Sequence, residues 1–326
     1  MQISSSPQLA RTKPPALQPG DTVGIVAPAS NIKREQLDGG CEALRQLGYR
    51  PFYFDSILEQ DLYFAGSASR RALELEEMFA RGDVRAIICA RGGYGSKYLL
   101  EQIDPRKLAA NPKIFVGYSD ITTLLTWFAD AAALVTFHGP MVAKDFAQEN
   151  GVDLVSWQAA LTGNSSWEIS ADSGMKAMVG GSAEGILYGG CLSMLVASLG
   201  TPYEIRTAGT ILFVEDVAAK PFQIDRMLMQ LKLAGKLREV RGIIFGEMLD
   251  CIQSPDQEYT LEEVTLRVVG ELGIPVAYGL RSGHVSRRNI TLPIGVRASL
   301  EVSQAEVKLK LLEPATISKA APVRSL

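Results

Sequence analysis

The chain has 326 residues, 47% hydrophobic and 21% charged, which is an ordinary globular composition. That length exceeds what one hydrophobic core usually organises, so two domains are expected. A net charge of −3 leaves no basic excess to attract nucleic acid or an anionic membrane surface, and no apolar run reaches the roughly 18 residues of a membrane span.

In chain order, the first 20 residues lack the apolar core of a secretion signal, and residues 1–12 read as a loose tail. DTVGIVAPAS, residues 21–30, is a short apolar run closed by Pro28 and Ser30. That is the pattern of a buried parallel strand entering a turn. In residues 33–48, Leu37, Cys41, Leu44 and Leu47 recur at helical spacing, and Gly48 suits the C-terminal cap. RPFYFD follows as a strand. Residues 69–83 predict a second amphipathic helix with Leu73, Leu75, Met78 and Phe79 inward. VRAIICA (84–90), KIFVGYSD (113–120) and ALVTFHGP (133–140) are further strands, with a helix starting at Ile121. Strands alternating with helices predict a parallel α/β sheet in an N-terminal domain over residues 13–150.

Residues 151–184 are rich in Gly, Ser and Asp, and read as a linker containing a short helix. Residues 185–326 predict a smaller, mixed α/β C-terminal domain. Its strands are GTILFVED (209–216), VRGIIFGEM and IPVAYGL (274–280), and its helices cover 221–235 and 260–273. RNITLPIGVRASLEV alternates apolar and polar residues, like an antiparallel strand pair.

The four cysteines, Cys41, Cys89, Cys191 and Cys251, are far apart and lie in apolar runs. They read as reduced thiols of a cytoplasmic protein. With two histidines, neither at ligand spacing from a cysteine, no metal is expected.

Three places could carry chemistry. In GYSD, residues 117–120, Ser119 falls at a sharp turn between strand and helix, where a nucleophile would be exposed above a parallel sheet. Ile121 replaces the second glycine of the usual GxSxG elbow. A plain helix N-cap by Ser119 or Asp120 explains the same residues. A serine needs a base. His284, in the glycine-flanked loop of RSGH, is freer to face a cleft than His138, which ends a strand beside Gly139 and Pro140. The base needs an orienting acid, and Glu215 and Asp216 end an apolar strand. Successive strand residues point to opposite faces, so only one of them serves. In RGGYGS, residues 91–96, glycines let the backbone approach another group closely. The loop lacks both GxGxxG and the P-loop GK[ST] ending, which favours an oxyanion-hole donor over a phosphate cradle.

Taken together, the blocks KPPALQPGDTVGIVAPAS, CARGGYGS, FVGYSDIT, FHGPM, GGCLSMLVASLGTPYE, FVEDVAAKPFQIDRMLMQL, GH and LPIG resemble the LD-carboxypeptidase family. These are serine peptidases related to muramoyltetrapeptide carboxypeptidase and the microcin C immunity protein. The resemblance covers almost the whole chain from Lys13 onward and implies a Rossmann-like N-terminal domain plus a smaller α/β C-terminal domain. It implies Ser119 as nucleophile, Glu215 as acid and His284 as base, drawn from two domains into an interdomain cleft. It also implies an oxyanion hole of backbone N–H groups at Asp120 and the Gly92–Gly93 turn. One block departs: the family's GGNLS reads GGCLS here, with Cys191 in place of asparagine.

The chemistry so implied is hydrolysis of the bond to a C-terminal D-residue, without metal or cofactor. The implied substrate is murein tetrapeptide, cut between diaminopimelate and D-Ala in cell-wall recycling. The alternative within the family is an aminoacyl-nucleotide amide, for which Trp157 or Trp167 would serve as a base platform. From another class, a non-catalytic ligand-binding module has the same scaffold requirements. A free carboxylate on the substrate calls for an arginine, and Arg91, Arg287 and Arg288 are candidates by position. Tyr94 and Tyr118 flank the two loops and are candidate substrate contacts. A homodimer is an open expectation.

Overall fold

The computed structural model describes residues 11–163, 166–169, 173–252 and 257–318. The first part alternates strand and helix: β1 (Thr22–Val26), α1 (Arg34–Gln46), β2 (Arg50–Phe52), α2 (Ala68–Ala80), β3 (Val84–Cys89), α3 (Pro105–Ala110), β4 (Ile114–Gly117), α4 (Thr122–Ala131) and β5 (Thr136–His138). β2, β1, β3, β4 and β5 lie side by side and all run parallel. The central strands β1, β3 and β4 are apolar because helices cover both of their faces.

The second part contains α5 (Leu154–Leu161), β6 (Trp167–Ile169), β7 (Lys176–Val179), β8 (Gly181–Cys191), α6 (Leu192–Val196), β9 (Thr210–Glu215), α7 (Pro221–Leu233), β10 (Gly242–Gly246), α8 (Leu261–Val269), β11 (Val276–Leu280), β12 (Leu292–Ile294), β13 (Arg297–Val302) and β14 (Val307–Leu311). A second sheet has the order β6-β14-β13-β8-β9-β10-β11-β7. Its middle strands β8 to β11 are parallel and its flanks antiparallel.

Several expectations need correction. The stretch 151–184 holds its short helix, α5, but also β6, β7 and the start of β8, so it builds the second sheet rather than merely spanning a gap. β12 and β13 do not pair with each other. β12 adds an antiparallel edge to the first sheet beside β5, while β13 lies between β8 and β14. Leu73 is 65% exposed. The buried face of α2 is formed by Arg71, Ala72, Leu75, Met78 and Phe79. Of the expected tail, residues 1–10 lie outside the described residues. Its last two are tied down: Arg11 pairs with Asp130 at 3.1 Å and the Thr12 N–H donates to the Ala133 carbonyl.

The return of β12 to the first sheet matters for the site. Leu292 pairs with His138, which on its other side pairs with Gly117 of β4. The loop between β11 and β12, which carries His284, is thereby drawn over the end of the first sheet. One apolar core, including Val116, Phe137, Phe213, Ile244, Leu280 and Leu292, runs through both sheets. No helix among the described residues is long and apolar enough to cross a membrane.

Candidate active site

The side chains gather at the carboxyl ends of parallel strands, the usual ligand edge of an open α/β sheet. β4 ends at Gly117, and Ser119 begins a single 3₁₀ turn into α4. Its φ of +64° is left-handed, a conformation that costs a non-glycine residue on the order of 1–3 kcal/mol. The turn holds Ser119 half-buried, above fully buried Tyr118. The simple N-cap reading fails, because the residue capping α4 is Ile121 and no side chain caps it.

Asp120 instead ties two loops together. Its carboxylate accepts the Ser96 N–H at 2.7 Å, and the Ser96 hydroxyl donates to the Asp120 carbonyl at 2.7 Å. The glycine loop is thus fastened to the serine turn. A Cβ on Gly92 would lie 2.7 Å from Ser119 Cβ and 3.0 Å from its Oγ, so the group that this loop approaches is the serine itself. A Cβ on Gly93 would instead strike Ser30, whose Oγ accepts the Tyr94 N–H at 3.1 Å. Buried Arg71 clamps the loop from below, donating to the carbonyls of Pro28 at 2.5 Å and Gly95 at 2.9 Å. Sequence patterning marked the glycines but not Arg71, which reads as one more helix-surface charge.

Glu215 closes β9 and is fully buried. Its Oε2 accepts both the backbone N–H of His284 at 3.1 Å and the ring Nδ1–H at 2.8 Å. A carboxylate only accepts, so the imidazole proton sits on Nδ1 and Nε2 is left as a base. Burial alone would push the Glu215 carboxyl up. The imidazoles of His284 and His138 outweigh it and hold the group ionised well below the usual carboxylate range. The neighbouring Asp216 points elsewhere, accepting the Ser193 N–H at 2.8 Å. Asp216 lies just past the end of β9, and the two acids have different partners.

His138 is not an exposed alternative base. It is fully buried, its Nε2 is 3.6 Å from Glu215 Oε1, and its Nδ1 is 2.9 Å from the Ser282 hydroxyl. Glu215 therefore stands between two imidazoles. Gly283, at φ +95°, is required there: a Cβ would fall 2.6 Å from Glu215 Cδ and 2.7 Å from His138 Cε1. Asn289 holds the same loop by exchanging two hydrogen bonds with Gly283, at 2.9 and 3.1 Å.

Two contacts connect the neighbours of Ser119 to the Glu–His pair. The Tyr118 ring meets the His284 ring edge-on at 5.1 Å. The Thr122 hydroxyl, one turn beyond Ser119, accepts the N–H of Cys191, which is register partner to Glu215. Tyr118 also donates to Asp145 at 3.3 Å, so its hydroxyl is committed to the protein rather than offered to a ligand.

Among the other candidates, Arg91 is exposed and reaches the Asn31 carbonyl at 3.4 Å. Arg287 and Arg288 line a cavity of about 760 Å³ together with Trp167 and Arg281. Trp157 is a packing anchor, 1% exposed and edge-on to Phe146. Tyr94, 43% exposed, joins Tyr63, Phe64 and Tyr98 in an aromatic cluster. A cavity of about 560 Å³ beside it reaches Thr123 and Met194.

Residues 23–139 match the LD-carboxypeptidase N-terminal domain, and residues 184–300 match the LD-carboxypeptidase C-terminal domain. The chain belongs to the LD-carboxypeptidase family. A probable murein peptide carboxypeptidase of Bacillus subtilis (strain 168) is 38% identical to it over 90% of this chain and 92% of its own. Among solved structures, an MccF-like protein from Bacillus anthracis str. Ames superposes with a TM-score of 0.85 at 26% identity, over 92% of this chain and 99% of that one. A muramoyltetrapeptide carboxypeptidase from Oxalobacter formigenes gives 0.79 at 29% identity, over 90% and 99%. This LD-carboxypeptidase is an enzyme acting on peptide bonds, built on the mixed α/β architecture of these neighbours.

Proposed function

We propose that this LD-carboxypeptidase releases D-Ala from murein tetrapeptide in cell-wall recycling, with Ser119, His284 and Glu215 as its triad. The observation that carries the reading is the double acceptance by Glu215 Oε2 of the His284 backbone and ring N–H groups. It orients the imidazole with Nε2 left as acceptor, and the serine proposed to meet it is held at φ +64°. Ser119 Oγ attacks the carbonyl while His284 Nε2 takes its proton. The imidazolium then protonates the leaving amine of D-Ala, and water repeats the sequence to free the acyl group. Glu215 stays ionised throughout. The backbone N–H of Asp120 and one from the Gly92–Gly93 turn hold the oxyanion, and the proximity of Gly92 to Ser119 favours Gly92.

Arg91, Arg287 and Arg288 are the cations available for the substrate's carboxylates. The tetrapeptide carries several of these, and the arginine-lined cavity suits them. A second reading, an aminoacyl-nucleotide amide, is favoured by the Tyr63–Phe64–Tyr94–Tyr98 cluster, which offers ring faces for a base.

The test is mass spectrometry of L-Ala-γ-D-Glu-mDAP-D-Ala after incubation with wild type and with Ser119→Ala. Loss of one D-Ala is expected with wild type, and a rate lower by on the order of 10⁴-fold or more with the variant. An intact tetrapeptide with folded wild type would remove the murein reading and leave the nucleotide amide or a non-catalytic binding role.

A further inference from the structure

The expectation that no metal binds rested on the distance in sequence between cysteine and histidine. The fold closes that distance. Cys191 ends β8 in register with Glu215 at the end of β9. Glu215 in turn holds His284. The Cys191 sulfur, a Glu215 carboxylate oxygen and a His284 ring nitrogen all lie within 4.8 Å of one another, and all three residues are buried. Glu215 Oε1 has no hydrogen-bond partner among the described residues, so the carboxylate keeps unused acceptor capacity.

We infer that Cys191, Glu215 and His284 form a binding site for a thiophilic divalent cation such as zinc, and that filling it switches the peptidase off. One sulfur, one nitrogen and one oxygen make a donor set that zinc takes readily, with water in the fourth position. Bond lengths of about 2.0–2.3 Å in a tetrahedron put ligand atoms about 3.6 Å apart. The present separations, 2.8 Å between Glu215 Oε2 and His284 Nδ1 and at most 4.8 Å to the sulfur, bracket that spacing.

Proton balance explains the inhibition. In the active form His284 carries its proton on Nδ1. A cation on Nδ1 displaces that proton to Nε2, and the thiol proton of Cys191 leaves to solvent. One proton is released per metal bound. Nε2–H can no longer accept the proton of Ser119, so attack stops. The groups facing the thiol are Ser193, whose hydroxyl lies 3.3 Å from the sulfur, Glu215 and Asp216 from β9 and its end, His284 from the β11–β12 loop and, behind Glu215, His138 of β5. Burial first, and then the Glu215 charge, keeps the Cys191 thiol protonated without metal.

The experiment uses the full chain stripped with EDTA and then titrated with Co²⁺. Wild type should develop a thiolate-to-cobalt charge-transfer band in the near ultraviolet that saturates at one equivalent. Cys191→Ser and Cys191→Asn should lack it. In parallel, saturating Zn²⁺ should lower wild-type hydrolysis of the tetrapeptide by about ten-fold or more, reversibly with EDTA. Each variant should lose less than about two-fold relative to its own metal-free rate. No cobalt band in wild type, a band that persists in both variants, or equal zinc inhibition of all three proteins would overturn the site. The inhibition arm rests on the proposed peptidase reading. The cobalt band needs no substrate, so failure of the site and failure of that reading are told apart.

Discussion

Glu215 is the residue on which the site turns, because it serves two histidines at once. Oε2 fixes the tautomer of His284, and Oε1 faces His138 at 3.6 Å. With its Nδ1 accepting from Ser282, His138 presents Nε2–H to the carboxylate. It is a positioning residue: it steadies the acid that steadies the base. At 3.6 Å the contact is electrostatic rather than a hydrogen bond, and its loss should cost about 1.4 kcal/mol, or roughly ten-fold in rate. His138→Ala should therefore lower kcat by about that factor with KM nearly constant. His138→Gln, whose amide can donate to Glu215 and accept from Ser282, should recover most of it. A variant whose KM rises while kcat holds would place His138 in substrate binding instead.

At the scale of elements, the site depends on a strand–turn–helix unit braced by a neighbouring glycine loop. Gly92 lies against Ser119 with no room for a methyl group. Gly92→Ala should push the serine or the loop aside and lower kcat/KM by on the order of 10²-fold, the cost of an ångström's misplacement. The circular dichroism spectrum should be unchanged. Activity within two-fold of wild type would mean that the loop is not part of the oxyanion geometry. The same scale shows what the sequence made legible. β1, β3, β4, β9 and β10 announce themselves because strands covered on both faces must be continuously apolar. The Ser119 turn is legible because its signal is local. β8 was hidden because GSAEGILYGGC carries four glycines in eleven residues, a composition that argues for a loop. Its glycines are there for close packing: a Cβ on Gly189 would strike the Phe213 carbonyl. The docking of β12 on β5, the pairing of His138 with Glu215 and the meeting of Cys191 with both come from contacts between residues far apart in the chain, which no periodicity records.

Across the whole molecule, the first sheet carries Ser119 and the segments of the second part carry Glu215 and His284, so the proposed triad requires the two to stay in register. Asp145 and Asn289 form part of that joint. The Asp145 carboxylate accepts the Met141 N–H at 2.8 Å, the Tyr118 hydroxyl at 3.3 Å and the Asn289 amide at 3.4 Å. Burial raises its pKa from 3.8 to about 6, despite those donors. A carboxyl raised on folding binds more protons folded than unfolded, so it lowers stability as pH climbs between those values. At about 1.36 kcal/mol per pKa unit, the loss reaches about 3 kcal/mol. Denaturant unfolding at pH 4 and pH 6 should show wild type losing about 2 kcal/mol of it relative to Asp145→Asn, since the other carboxyls cancel between the two. A difference independent of pH would mean that Asp145 is ionised throughout. The most direct measurement is covalent labelling with a fluorophosphonate, read by intact mass and peptide mapping on wild type, Ser119→Ala and His284→Ala. The account predicts one adduct on wild type, mapped to Ser119, none on the serine variant and strongly slowed labelling of the histidine variant. A folded wild type that takes no label, or a label that persists in Ser119→Ala, would contradict it.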